Sequence, residues 1–133
     1  MVAESAGQIV GSNVLWEHGD VAAVGPITVD PSAQRSSAGR QLMADILERA
    51  SSRGFERVRL VQAAYNNLSM ALYAKLGFDV REPLSVIQGA PLRISIPGYE
   101  VRNVRIDDLA PCDRLCLQVH GHRRQGELAD AMQ

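Results

Sequence analysis

VDPSAQRSSAGRQLM, residues 29–43, is the stretch on which the reading of the fold turns. Before it, Ala22 to Val29 (AAVGPITV) is apolar and closes on β-branched residues, the composition of a buried strand. After it, Leu42, Met43, Ile46, Leu47 and Ala50 recur at helical spacing on a segment that runs to about Arg53, where Gly54 stops it. The quoted residues are therefore a strand end, a proline turn, a loop of small residues and a helix start. Small residues let the backbone approach a ligand, and the open N–H groups at a helix N-terminus carry partial positive charge, so such a loop can hold a phosphate. Arg35 and Arg40 stand at its rim. An ordinary strand-to-helix connection has the same look, so the loop alone does not decide function.

Composition bounds the rest. At 133 residues, 46% of them apolar and 22% charged, the chain has the size and balance of one globular domain with a real core. A net charge of −1 makes no electrostatic case for nucleic acid or an anionic membrane as partner. No apolar run nears the roughly 18 residues of a membrane span. Cys112 and Cys116 make no disulfide framework, and a reducing cytoplasm is the expected location.

In chain order, a short strand is expected before Gly7, then strands over Gln8–Trp16 and Val21–Val29 joined by the polar turn Glu17-His18-Gly19-Asp20. Val58–Val61 should lie parallel to the second of these, since a helix of residues 40–53 intervenes. Ligands in such sheets favour the carboxyl ends of parallel strands, which is where the loop sits. Next, Asn66 or Asn67 caps a helix whose apolar stripe reads Leu68, Ala71, Leu72 and Leu76. Gly77 closes it, and a new strand is expected from Phe78. Tyr73 lies within this helix and, read alone, is an aromatic at the edge of the core with its hydroxyl toward water.

The order VDPxxQxxSAGRQLM, short strand, NxxSxxLYxKLGF resembles the GNAT superfamily of N-acetyltransferases over residues 2–89. The fold this implies is α/β (α+β), a mixed, mostly antiparallel twisted sheet flanked by helices. By the same resemblance Gln34, Arg35, Ser36, Ser37, Ala38, Gly39 and Arg40 are the loop that holds the pyrophosphate of acetyl-CoA. Ile27, Thr28 and Val29 would pair with its pantetheine arm, and Asn66 and Tyr73 would face the thioester. The implied reaction is direct attack by a primary amine, of a small molecule or a protein, on the thioester. A strand N–H would polarise the carbonyl, and Tyr73 would be the general acid for the departing thiolate. Acetyl-CoA is the co-substrate and no metal is called for.

Three departures stand out. Ser37 occupies the place of the motif's leading glycine. If that position needs φ > 0, a serine there costs on the order of 1 kcal/mol. Val61, Gln62 and Ala63 stand where many relatives carry a carboxylate base; Glu4, Glu17 and His18 could act only through water, and each reads better as a solvated strand or turn residue. Finally, the strand and helices with which the family opens are missing before Val2, whereas Tyr99 onward looks like such an opening. It has a strand Val101–Arg105, an Asp107-Asp108 cap and a helix with Leu109, Cys112, Leu115, Cys116 and Val119 as its stripe.

The expected organisation is a core at 1–90, a linker at 91–100 and a strand-helix segment at 101–133 like the start of a second such domain. The chain then reads as a piece of a tandem acetyltransferase, catalytically active or an inactive acyl-CoA-binding or structural fragment. The last segment is expected to fill the open sheet edge, within the chain or by exchange in a homodimer. Cys112, Cys116 and His120, at i, i+4 and i+8 with His122 near, have zinc-type ligands, but they fall on the apolar stripe and read as packing. The run His120 to Arg124 reads as an exposed helix end.

Overall fold

The computed structural model describes residues 1–91 and 94–132. Leu92 and Arg93 of the linker, and Gln133 of the last segment, lie outside the described residues. Among the described residues six strands form two three-stranded sheets. β1 (Val2–Ser5) pairs antiparallel with β2 (Gln8–Ser12), and β5 (Thr28–Val29) pairs antiparallel with the other edge of β2. In the second sheet β3 (Leu15–His18) and β4 (Val21–Val24) are antiparallel, and β6 (Val58–Leu60) lies parallel to β4. The short strand before Gly7 and the parallel strand at 58 are thus where the sequence places them.

The two long strands are not continuous. The Gln8–Trp16 run breaks at Asn13-Val14, and the Val21–Val29 run breaks at Gly25-Pro26-Ile27. Pro26 has no N–H to give to a ladder, and Gly25 takes φ 120°, a value that favours glycine. The last ladder-like bond on this side is Gly25 N–H to Val14 C=O, 2.9 Å. Beyond it the chain crosses to pair with β2 instead. At the matching break, Asn13 is fully buried, donates from Nδ2 to the Leu42 carbonyl and accepts the Val14 N–H at 3.0 Å. Both chains therefore leave one sheet and enter the other at the same level.

Helix α1 (Ala38–Ser52) and helix α2 (Asn67–Lys75) cover one face. Val24, Met43, Ile46 and Tyr73 form the buried cluster, with Leu15, Val58, Leu60, Leu72, Leu76 and Phe78 packed round it. The strand registers explain the sidedness: Leu15, Ala22, Val24, Val58 and Leu60 share this face with Glu17, which pairs with Arg49 and Arg53 of α1. The stripe of α2 is rotated from the expected one. Leu68 and Ala71 are exposed, and the inward side is Ser69, Leu72, Tyr73 and Leu76. Ser69, Tyr73 and Leu76 keep the i, i+4, i+7 spacing, but with a serine and a tyrosine in place of two aliphatic residues.

Phe78 packs on the core, yet no strand follows it among the described residues; residues 79–91 are exposed and irregular. The strand expected at Val101–Arg105 does not form either, because Val101 and Val104 are three apart and no two-residue alternation supports one. The expected helix is present as α3 (Leu109–His120), followed by α4 (Gln125–Asp130). Leu115 and Val119 of its stripe are exposed. The residue α3 buries is Asp113. Burial pushes its carboxyl up, but hydrogen bonds from the Arg124 N–H (2.8 Å) and the Arg123 guanidinium (2.6 Å) outweigh this and hold it below the usual carboxylate range.

This segment does not extend a sheet edge. Instead α4 lies against the second face of β3-β4-β6, where Arg59 bonds Glu127 (3.1 Å) and His122 (2.9 Å) and His18 pairs with Asp130 (3.2 Å). No helix among the described residues is long and apolar enough to cross a membrane.

The contact between β2, β5 and α1 is tight at Gly11, where a Cβ would stand 2.9 Å from the Thr28 carbonyl oxygen and 3.1 Å from Leu42 Cδ1. Gly11→Ala is expected to destabilise the chain by about 1–3 kcal/mol, read from urea denaturation. An unchanged midpoint would show that β5 is not held at this spacing.

Candidate functional site

The break in the sheet makes a cleft. Val24, Gly25, Pro26 and Ile27 form one wall, Leu60, Val61 and Gln62 the second, and Asn66, Ser69 and Tyr73 of α2 the cover; the enclosed volume is about 250 Å³. It lies at the carboxyl ends of the parallel pair β4 and β6. The Trp16 indole N–H donates to the Gly25 carbonyl at 2.6 Å and so fixes the first wall from behind.

Tyr73 is 8% exposed, with its ring edge-on to Phe78 at 6.1 Å. Burial pushes its hydroxyl pKa up, and a hydrogen bond with the Ser69 side chain opposes this in part. The phenol thus stays protonated at neutral pH and is available as a donor. Asn66 caps α2 by accepting the Ser69 N–H at Oδ1, 3.1 Å, so the cap uses its oxygen and not its Nδ2 donors.

The loop leads from β5 into α1. Asp30 caps a short turn at Pro31–Ala33 by accepting the Ser32 N–H at 2.8 Å. Arg35 and Ser37 both take left-handed backbone, at φ 69° and 76°. Ser37 is the N-cap of α1, yet its hydroxyl makes no capping bond. The condition set by the sequence is met: the position needs φ > 0, and the serine is strained there. The first bond into α1 runs from Gln41 N–H to Ser37 C=O, so the amides of Ala38, Gly39 and Arg40 lie ahead of the ladder. Left-handed residues alternating with ordinary ones also turn successive N–H groups into one concavity. A Cβ on Gly39 would meet only Val29 and Leu72, at 3.6 and 4.0 Å, which is ordinary contact.

Of the residues the sequence singled out, Ile27, Asn66 and Tyr73 line the cleft together. Thr28 and Val29 are in β5 just beyond it, Gln34 to Ser37 are in the loop that follows, and Ala38 to Arg40 form the first turn of α1. Glu4, Glu17 and His18 are not in the cleft wall; Glu17 is paired with α1 and His18 with Asp130. Among the described residues no three metal-type side chains come together, and His122 faces Arg59.

Sequence reasoning did not single out Gly25-Pro26, Ser69 or Trp16. The proline inside an apolar run was the available signal for the first, and the one-turn spacing of Ser69 and Tyr73 for the second. A second cavity, about 290 Å³, lies on the opposite sheet face between Trp16, His18, Arg59, Glu127 and Asp130.

Comparison with known proteins adds the following. Residues 1–78 match the model of the Acetyltransferase (GNAT) family. No curated protein matches the chain. Among solved structures, an acetyltransferase from Trypanosoma brucei is 28% identical, with TM-score 0.57 over 65% of this chain and 64% of that one. The ribosomal-protein alanine N-acetyltransferase from Escherichia coli is 29% identical, with TM-score 0.57 over 59% and 51%. A GNAT family acetyltransferase from Elizabethkingia anophelis with acetyl-CoA bound, 22% identical, shares the fold at TM-score 0.58 over 61% and 54%. The chain thus spans between about half and two thirds of the length of these structures.

Ser69→Ala removes the bond that opposes the rise at Tyr73, so the Tyr73 hydroxyl should titrate at still higher pH. Carbon-13 NMR of labelled tyrosine would follow this against Tyr65 and Tyr99 as internal references. An unmoved Tyr73 titration would place the Ser69 side chain out of contact with the phenol.

Proposed function

The chain belongs to the acetyltransferase (GNAT) family, and from that premise we propose that it moves an acetyl group from acetyl-CoA to a primary amine of a small molecule or a protein by direct attack. The observation that carries this reading is the meeting of Ile27, Asn66 and a protonated Tyr73 in one cleft that opens next to the Gln34–Arg40 loop.

The geometry supports the following division of labour. The amides of the loop and of the first turn of α1 hold the pyrophosphate, and strained backbone at Arg35 and Ser37 is the cost of turning them toward one point. A cleft of about 250 Å³ is below the size that encloses a drug-sized ligand, so it suits the acyl-thioester end while the nucleotide stays outside. Thr28 and Val29 offer strand edge to the pantetheine amides. The Ile27 N–H, just past the proline that cannot donate, polarises the thioester carbonyl as negative charge develops on its oxygen. Tyr73 gives its proton to the departing sulfur.

A second reading is an acyl-CoA-binding or structural fragment of a tandem acetyltransferase, without activity. The observation in its favour is Ser37, whose Cβ and left-handed strain fall where backbone and phosphate would meet.

The two separate by assay. Thiol release from acetyl-CoA that depends on added primary amine supports transfer; binding without release supports the fragment. Tyr73→Phe is expected to slow release about 10²-fold while leaving acetyl-CoA affinity unchanged. Ser37→Asp, which puts a carboxylate at the exposed N-cap of α1 where Asp is a favoured cap, is expected to weaken binding by charge repulsion without lowering the melting temperature. Equal rates for Tyr73→Phe and the parent would remove Tyr73 from the chemistry, and unchanged affinity in Ser37→Asp would mean the loop is not the cradle.

A further inference from the structure

Among the described residues the cleft wall is neutral. Of the described side chains that line it only Tyr73 is titratable; Gln62, Asn66 and Ser69 are uncharged polar groups, and the others are aliphatic, proline or glycine. The charged groups on the surrounding elements stand outside it. Arg35 and Arg40 are on the loop, Lys75 is at the far end of α2, Tyr65 precedes the Asn66 cap and is almost fully exposed, and Arg59 of β6 faces Glu127 on the other side of the sheet.

Gln62 brings a second observation. Its Oε1 is buried and accepts no hydrogen bond among the described residues. A buried acceptor without a donor is costly, and an N–H entering with a ligand relieves that cost.

The proton count then limits what can react. Transfer to a neutral amine forms one C–N bond and breaks one C–S bond. Nitrogen gives up one proton and the departing thiolate takes up one, so the count closes inside the cleft. Tyr73 passes its proton to sulfur and regains one from the nitrogen of the tetrahedral adduct. An ammonium ion brings one proton more, which must leave before nitrogen has a lone pair to attack with. A carboxamide does not take up a proton near neutral pH, so Gln62 cannot remove it.

Resting on the acetyl-transfer reading above, we propose that the cleft takes its acceptor as the neutral amine, with the Gln62 carboxamide turning to receive one of its N–H groups at Oε1. Its substrates are then weakly basic primary amines, of the α-amino type, rather than strongly basic alkylamines such as the lysine ε-amine. At pH 7.5 about a third of an α-amine is neutral, against about one in a thousand of an ε-amine.

The test is the pH profile of kcat/KM at saturating acetyl-CoA for two acceptors on the full chain, a peptide with a free α-amine and an N-blocked peptide with one lysine. Each profile is expected to rise with unit slope and level at the acceptor's own pKa, about 8 for the first and about 10 for the second. A common break below pH 8 for both would reveal a base on the protein and overturn the proposal. Gln62→Glu is expected to supply such a base and flatten the lysine profile. Gln62→Leu is expected to raise the amine KM about 10-fold, the equivalent of one hydrogen bond, with acetyl-CoA affinity unchanged. An unaltered KM in Gln62→Leu would remove the contact. Failure is also separable by origin: acetyl-CoA binding with no turnover of either peptide would sink the acetyl-transfer reading, whereas turnover with a shared break would sink only the neutral-amine inference.

Discussion

Pro26 cannot donate a hydrogen bond, and much of the rest of the molecule depends on that. A strand that continued from Val21 to Val29 would keep its place beside β3 and β6, and the sheet would close. Instead the ladder ends at the Gly25–Val14 bond, Ile27 turns inward onto the core, and Thr28-Val29 pairs with β2. The buried Asn13 makes the matching break on the other chain and ties it to α1 through the Leu42 carbonyl. The gap between the sheets is therefore built by backbone chemistry, and it needs no large side chain to prop it open.

Two helices make the gap useful. α1 carries the loop, and its Met43 and Ile46 belong to the same buried cluster as Tyr73 of α2. Tyr73 thus does two things at once: its ring locks α2 against the sheet, and its hydroxyl lines the cleft. The packing that buries the ring is also what raises the hydroxyl's pKa and keeps its proton in place. The loop pays in strain at Arg35 and Ser37 for a concave row of amides, and Ser37 shows that the chain tolerates a side chain at a position that favours glycine.

The sequence made the helices legible more clearly than the strands. α2 was readable from its cap and α1 from its apolar periodicity: Asn66 accepts the Ser69 N–H as an N-cap should, and Leu42, Met43, Ile46 and Ala50 are buried as their spacing requires. The face of α2 was misjudged because its inward stripe includes Ser69 and Tyr73, polar at one end, while the apolar Leu68 points out. The strand breaks were masked by the apolar residues on either side of them, with Gly25-Pro26 in one run and Gly11-Ser12-Asn13 in the other as the available punctuation. The closing segment was read correctly as helix but not as strand. Its docking could not be read, since it rests on side chains far apart in sequence: Arg59 with Glu127, and His18 with Asp130. Through those pairs it lies across part of the sheet face opposite α1 and α2, where Trp16 stays half exposed.

The central claim is that the opening at Pro26 is the acetyl-CoA site. Mapping of backbone amide shifts in nitrogen-15-labelled protein during titration with acetyl-CoA tests it most directly. The account predicts that the perturbed amides are those of Gly25 and Ile27 to Val29, the loop from Gln34 to Arg40, and Asn66 to Tyr73, with α3 and α4 unmoved. Shifts confined to His18, Arg59 and Glu127 would place the ligand in the cavity on the opposite face, and no shifts from a folded chain would contradict the account outright.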